Sequence, residues 1–212
     1  MLVLASASAR RAELLRNAEI RFRVRVAEIA ETRRTGESPR HFAMRLASEK
    51  AVKIALLEPE SLVLAADTIV VAGSRVLGKP RDAAEAKRML RLLSGRSHEV
   101  ITGVCLRGPD SDGQAFTDTR LESTEVRFEP LTDREIEEYV TSGEPLDKAG
   151  AYAIQGRASR WISGIRGDYA NVVGLPVALV YRMLGEHGCL AAAQWRAASA
   201  SSKRRLRSVP QR

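Results

Sequence analysis

The sequence predicts an α/β fold built on a mixed sheet. Strand-like and helix-like segments take turns along the chain, and one pair of long strand-like runs reads as a hairpin. A chain of 212 residues with 44% hydrophobic side chains suits one domain, or one compact unit of two lobes, around a real core.

In order, Leu2 to Ala5 reads as a short buried strand. Ser6 and Ser8 can cap a following helix that runs to about Asn17, with Leu14 and Leu15 toward the core. Arg10 and Arg11 fall in its first turn, where the helix dipole is positive, so the pair points to a bound anion; two solvated arginines are the alternative. Arg21 to Val26 alternates arginine with apolar residues, as a one-sided strand does. A polar loop over 27–37 leads to Ser38-Pro39, which opens a long helix carrying Phe42, Leu46, Glu49, Lys50, Val52 and Ile54. The apolar run Leu62 to Ala66 reads as a buried strand that delivers Asp67 and Thr68 at its end, followed by a hairpin turn over 72–75. Asp82 with Glu85 resembles a capping box for a helix to Leu93, which Ser94-Gly95-Arg96 ends. His98 to Leu106 and Phe116 to Phe128 make the long hairpin. Thr132 with Glu135 starts another helix, to about Thr141, broken by Gly143-Glu144-Pro145. Short strands are expected in the glycine-rich stretch 150–174, and Gly167 to Pro176 reads as a tight turn into a last helix through Leu184. There is no internal repeat.

The net charge of +8 would ordinarily invite a nucleic-acid partner. Six of those charges belong to Arg196, Lys203, Arg204, Arg205, Arg207 and Arg212, in a tail without acidic residues. Residues 188–212 therefore read as a basic, disordered, solubilising tail, with contact to RNA, DNA or an anionic surface as the alternative, and residues 1–187 as the working domain. Nucleic acid is not an expected partner of the body. No apolar run approaches the ~20 residues that span a bilayer, and the start of the chain turns polar at once, so no membrane contact and a cytoplasmic location are expected. Cys105 and Cys189 have no metal-type spacing, and Cys105 reads as a small buried hydrophobe rather than half of a disulfide.

Chemistry concentrates in three places. Ala65-Ala66-Asp67-Thr68 ends an apolar run, and Gly78-Lys79-Pro80 brings an ammonium back beside it. A carboxylate and an ammonium are costly to bury unless they meet partners, and a metal ion and a phosphate chain are natural ones. Asp147-Lys148 sets an acid beside a base among small residues that let a ligand approach, unless it is a solvated loop pair. Gln155, read as the end of a short strand in Ile154-Gln155-Gly156, carries an amide able to read a base edge, unless it is simply exposed. His41, His98 and His187 share no metal spacing and read as non-catalytic. No nucleophile elbow, GxGxxG or GxxxxGK[ST] occurs.

The ordered series Leu4-Ala5-Ser6-Ala7-Ser8-Ala9-Arg10-Arg11, Ser48-Glu49-Lys50-Ala51, Ala66-Asp67-Thr68, Gly78-Lys79-Pro80, Leu93-Ser94-Gly95-Arg96-Ser97-His98, Asp147 to Gly156 and Gly174-Leu175-Pro176 resembles the Maf family of nucleoside triphosphate pyrophosphatases. The resemblance covers residues 2–186 and implies a Maf and inosine-triphosphatase-like fold: a mixed twisted sheet with flanking helices and two lobes around a cleft. It implies hydrolysis between the α and β phosphates, dependence on Mg²⁺ or Mn²⁺, and a homodimer. Carried over by motif, the resemblance implies Asp67 as the general base and a metal-site carboxylate, which either deprotonates water directly or only holds the metal that acidifies it, and Glu31 as a second acid of the metal site. Ser6, Arg11, Lys50, Lys79 and Lys148, with Arg10, hold phosphates. Arg10, Thr68 and Gln155 match the branch that prefers dTTP and UTP, which implies a house-cleaning role against modified pyrimidine nucleotides. Ala9 replaces a usual proline, and Ala30 replaces an acid that often precedes Glu31. Two rival expectations are a binding protein that regulates septum formation or division, and the same enzyme with a 7-methyl-GTP preference.

Overall fold

The computed structural model describes residues 1–110 and 112–193, so the basic tail read from the sequence lies outside the described residues from 194 onward. Seven strands form one mixed sheet. β1 (Leu2–Leu4) lies between β2 (Arg23–Val24) and β3 (Leu62–Ala72), parallel to both. β5 (Ser97–Pro109), β6 (Ala115–Phe128) and β7 (Ile162–Arg166) follow antiparallel across the sheet, and β4 (Arg75–Leu77) folds back onto the end of β3. Parallel neighbours need crossovers, which α1 (Ala9–Asn17) and α2 (Pro39–Leu57) supply.

The period-2 alternation of β3 decides what each face receives. Val63, Ala65, Ile69 and Val71 pack on the side of α2, through Ala47, Ala51 and Ile54 at one end and Phe42 and Leu46 at the other. On the opposite face are two apolar clusters. One joins Leu62, Leu64 and Ala66 to α1 and α6 (Val177–Glu186). The other joins Val70, Val100 and Phe128 to α3 (Ala83–Leu93), α4 (Asp133–Thr141) and Trp161. These are the two lobes. Between them β3 has a bare edge, because β1 pairs it only as far as Leu64 and β4 starts at Val70. The site lies at that gap.

Caps form where serine, threonine and aspartate precede helical patterns. Ser38 accepts from the His41 N–H with Pro39 in the first turn, and Thr132 with Glu135 forms a full capping box. Asp82 gives half of one: it accepts from the Glu85 N–H, while the Glu85 carboxylate takes the Arg81 N–H instead.

Several expectations change. β3 does not end at Asp67 but continues to Ala72, so Asp67 and Thr68 sit mid-strand on opposite faces. The strand expected over Arg21 to Val26 is only two residues long, and Arg23 and Arg25, on one face of it, both pair with the buried Glu58 carboxylate. The glycine-rich stretch holds one strand, β7. The rest is α5 (Tyr169–Val173) and 3₁₀ turns, and a further 3₁₀ turn at Glu144–Asp147 precedes it. Gln155 therefore stands in a turn, not at a strand end. Past Gly188, Cys189 is buried in the core and α7 (Leu190–Ala193) follows, so ordered chain extends a few residues beyond the expected point of departure. Both cysteines are buried and free. No helix among the described residues is long and apolar enough to cross a membrane.

Candidate active site

A cleft of about 1080 Å³ opens at the bare stretch of β3. It is lined by all ten residues singled out in the sequence: Ser6, Arg10, Arg11, Glu31, Lys50, Asp67, Thr68, Lys79, Lys148 and Gln155.

At its floor, on the α2 side, Asp67 is 7% exposed and Lys50 is 8% exposed. Lys50 belongs to the buried stripe Ala43, Ala47, Lys50, Ala51 and Ile54 of α2. Three of the seven buried residues of the helix are alanine, and opposite Ala43 stands Gly103, the ladder partner of Asp67. A Cβ on Gly103 would meet the Ala43 carbonyl oxygen at 2.3 Å, so glycine there lets α2 press onto the sheet. Lys50 Nζ lies 2.5 Å from Asp67 Oδ1 and 2.6 Å from Glu31 Oε1, so both carboxylates close on one cation. Burial pushes the Asp67 carboxyl up, against the pull of Lys50 and Arg11. Glu31 is half-buried: its burial works against the charge, but the hydrogen bond and charge of Lys50 outweigh it and hold the carboxyl below its ordinary value.

On the other face, Arg11 is fixed by neutral oxygens. Its Nε donates to the Gly174 carbonyl at 2.8 Å, one terminal nitrogen to Ser6 Oγ at 3.1 Å, and the other to Thr68 Oγ1 at 3.0 Å. Burial pushes this guanidinium's pKa down, partly offset by the charge of Asp67. It has two N–H groups beyond those three bonds and, among the described residues, no carboxylate in salt-bridge reach, which suits an incoming anion. Thr68 Oγ1 also meets Thr102 Oγ1 at 2.9 Å and the Gly174 carbonyl at 3.2 Å, so its hydroxyl is fully engaged by the protein.

Arg10 reaches Asp147 at 3.7 Å, and Lys148 pairs with the same carboxylate. Lys148 Nζ also donates to the Glu144 carbonyl at 3.3 Å. Lys79 follows Gly78, whose carbonyl accepts from the Gly150 N–H at 3.0 Å, and its charge reaches Glu31. Gln155 is exposed on its turn. The three histidines stand apart from any metal-type group: His98 is buried against the Tyr152 hydroxyl and His187 pairs with Asp118. No group of three His, Cys, Asp or Glu placed for a metal occurs among the described residues.

Sequence reasoning missed Thr102, the Gly174 carbonyl, Tyr139 and Glu144. Thr102 looks like any strand threonine until register sets it opposite Thr68. Glu144 was legible only as part of a helix breaker.

The family described as Maf-like protein matches residues 1–187. The chain belongs to the Maf family. A protein of Koribacter versatilis named dTTP/UTP pyrophosphatase is 53% identical over 89% of this chain and 95% of its own. One of Bacillus cytotoxicus with the same name is 51% identical over 86% and 93%. Among solved structures, the Staphylococcus aureus Ham1 protein aligns over 87% of this chain and 98% of its own at TM-score 0.43 and 14% identity, too loose a likeness to argue from.

Proposed function

We propose that this Maf protein is a nucleoside triphosphate pyrophosphatase that hydrolyses dTTP and UTP to the monophosphate and pyrophosphate. The observation that carries the reading is the convergence of Asp67 and Glu31 on one cation, in a cleft walled by Arg10, Arg11, Lys79 and Lys148. A triphosphate needs that mixture of cations for its oxygens and carboxylates for its counter-ion.

The donor set fits a hard divalent cation. Two carboxylates already close on an ammonium, and Mg²⁺ or Mn²⁺ commonly completes its shell with phosphate oxygens and water. Asp67 and Glu31 would hold it, and when bound it supplies charge neutralisation on the phosphates. The remaining work belongs to the chain. Asp67, its carboxyl raised by burial, takes a proton from water as the water oxygen bonds the α phosphorus. The bond from that phosphorus to the bridging oxygen breaks, and pyrophosphate leaves with the electron pair. Lys50, Arg11, Lys79 and Lys148 neutralise the phosphate oxygens, with the Ser6 hydroxyl donating to one. Gln155 reads the pyrimidine through its amide. Thr68, whose hydroxyl is taken up by Arg11, Thr102 and Gly174, acts on specificity by fixing Arg11 rather than by touching the base.

The test is pyrophosphate release across dTTP, UTP, CTP, dATP, GTP and 7-methyl-GTP, with and without Mg²⁺ or Mn²⁺. Metal-dependent turnover concentrated on dTTP and UTP is expected. Turnover concentrated on 7-methyl-GTP would reassign the base, and no turnover from a folded sample would move the function to binding.

A further inference from the structure

We propose that Tyr139 and Glu144 are positioning residues for base selection, because together they grip both ends of the turn that carries Gln155. The inference rests on the reading of Gln155 as the residue that meets the base.

Gln155 stands between Ala153 and Arg157 in a turn closed by the Gly156 N–H donating to the Ala153 carbonyl at 3.1 Å. On one side, the Ala153 N–H donates to the Tyr139 hydroxyl at 3.3 Å. On the other, the Arg157 N–H donates to the Glu144 carboxylate, at 3.1 Å to Oε1. The two anchors are joined, since the Tyr139 hydroxyl donates to the same Glu144 Oε1 at 2.9 Å. The carboxylate also lies close against Gly156: a Cβ there would come to 2.0 Å from Oε1.

The anchors are themselves fixed. Tyr139 is fully buried on α4, with its ring edge-on to Trp161 at 5.2 Å between centroids. Glu144 opens the 3₁₀ turn after Gly143, whose φ of 75° lets the chain reverse out of α4. The Glu144 main chain also accepts from Lys148, so one residue ties a phosphate-binding cation to the base-reading turn.

Gln155, by contrast, has no hydrogen-bond partner among the described residues and owes its place to this clamp. A side chain that selects a base by amide hydrogen bonds needs placement to within a fraction of an ångström, and displacement of about 1 Å can cost on the order of a hundredfold. Loosening the clamp should therefore blunt discrimination between bases while the Asp67 end stays intact.

The experiment measures kcat and KM for dTTP, UTP and dATP with the full chain and four variants: Gln155→Ala, Tyr139→Phe, Glu144→Ala and Glu144→Gln. Tyr139→Phe keeps the ring and its packing, so it remains informative if Glu144→Ala folds poorly. Tyr139→Phe and Glu144→Ala are expected to lower the pyrimidine-over-purine ratio of kcat/KM by about tenfold, mainly through KM for dTTP. Glu144→Gln should recover most of the ratio, since its amide oxygen can still accept from Arg157 and Tyr139. If Gln155→Ala collapses the ratio while Tyr139→Phe and Glu144→Ala keep it within about twofold of wild type, the clamp is refuted and the reading of Gln155 stands. An equal loss on every nucleotide would mark the pair as structural and also refute it. If Gln155→Ala itself leaves the ranking of substrates unchanged, the base-reading role falls, and this inference with it.

Discussion

The two ends of the cleft are built differently. At the proposed phosphate end, Asp67 stands mid-strand in β3, Lys50 on the buried face of α2, and Arg11 in the first turn of α1, each locked by short polar contacts. At the proposed base end, Gln155 rides an irregular turn with no hydrogen-bond partner of its own among the described residues, between main-chain groups held by Tyr139 and Glu144. Hydrolysis needs charges fixed against one another in a low-dielectric floor; regular elements provide this for Asp67, Lys50 and Arg11, while Glu31, Lys79 and Lys148 reach the cleft from connecting segments. Base choice needs one adjustable amide, and a turn suffices. The segment that carries Gln155 can thus be altered while Asp67 stays on the sheet.

The largest expected effect comes from breaking the phosphate end. Asp67→Asn keeps the volume and an oxygen for Lys50, and Lys50 retains Glu31 as a charged partner at 2.6 Å. The variant should fold and lose about 10³-fold in kcat/KM on dTTP and UTP alike. Near-normal turnover in Asp67→Asn would remove Asp67 from the mechanism.

Next comes the support beneath that end. Gly103→Ala forces a methyl group into the Ala43 main chain, pushes α2 off the sheet and takes Lys50 with it. A cost of about 3 kcal/mol is expected in urea unfolding, together with loss of turnover. Gly164 in β7 is the control: nothing lies within 4 Å of a Cβ there, so Gly164→Ala should change stability by less than about 0.5 kcal/mol. Equal costs at the two glycines would mean that close packing of α2 is not what positions Lys50.

This asymmetry also explains what the sequence could reveal. Apolar alternation, caps and prolines made most of β1, β3, β5, β6 and the helices α1 to α4 and α6 legible, because each signal is local. The phosphate end was legible as well, since Asp67, Lys50 and Arg11 lie on those elements. Reading an end to the strand at Asp67 failed because a charged residue interrupts the apolar pattern, yet here the charge is buried against Lys50 and the ladder continues to Ala72. The base end was the least legible. Glycines over 150–174 allow many backbones, and the one adopted is set by contacts distant in sequence, such as Tyr139 to Ala153 and the Gly150 N–H to the Gly78 carbonyl. Those contacts leave no periodic mark.

The smallest effect tests whether the base end is also the weaker end. His98 on β5 is 4% exposed, and its Nε2 lies 2.8 Å from the hydroxyl of Tyr152, the residue before Ala153. Burial holds its pKa down to about 4 from an ordinary 6.5, so the folded protein keeps the ring neutral. The unfolded chain takes up that proton first as pH falls, so this contribution to stability is complete above about pH 6.5 and drains away toward pH 4. Between pH 7 and pH 5 the loss amounts to about 2 kcal/mol. Urea unfolding at the two pH values should show it in the wild type, and His98→Gln, which cannot titrate, should show correspondingly less. Because Tyr152 joins His98 to the segment that carries Gln155, hydrogen exchange at pH 5 should open residues 151–157 before the centre of β3. Equal slopes with pH in the two proteins would assign the acid sensitivity to the carboxylates of the phosphate end, and the two ends would then differ in architecture but not in resistance to acid.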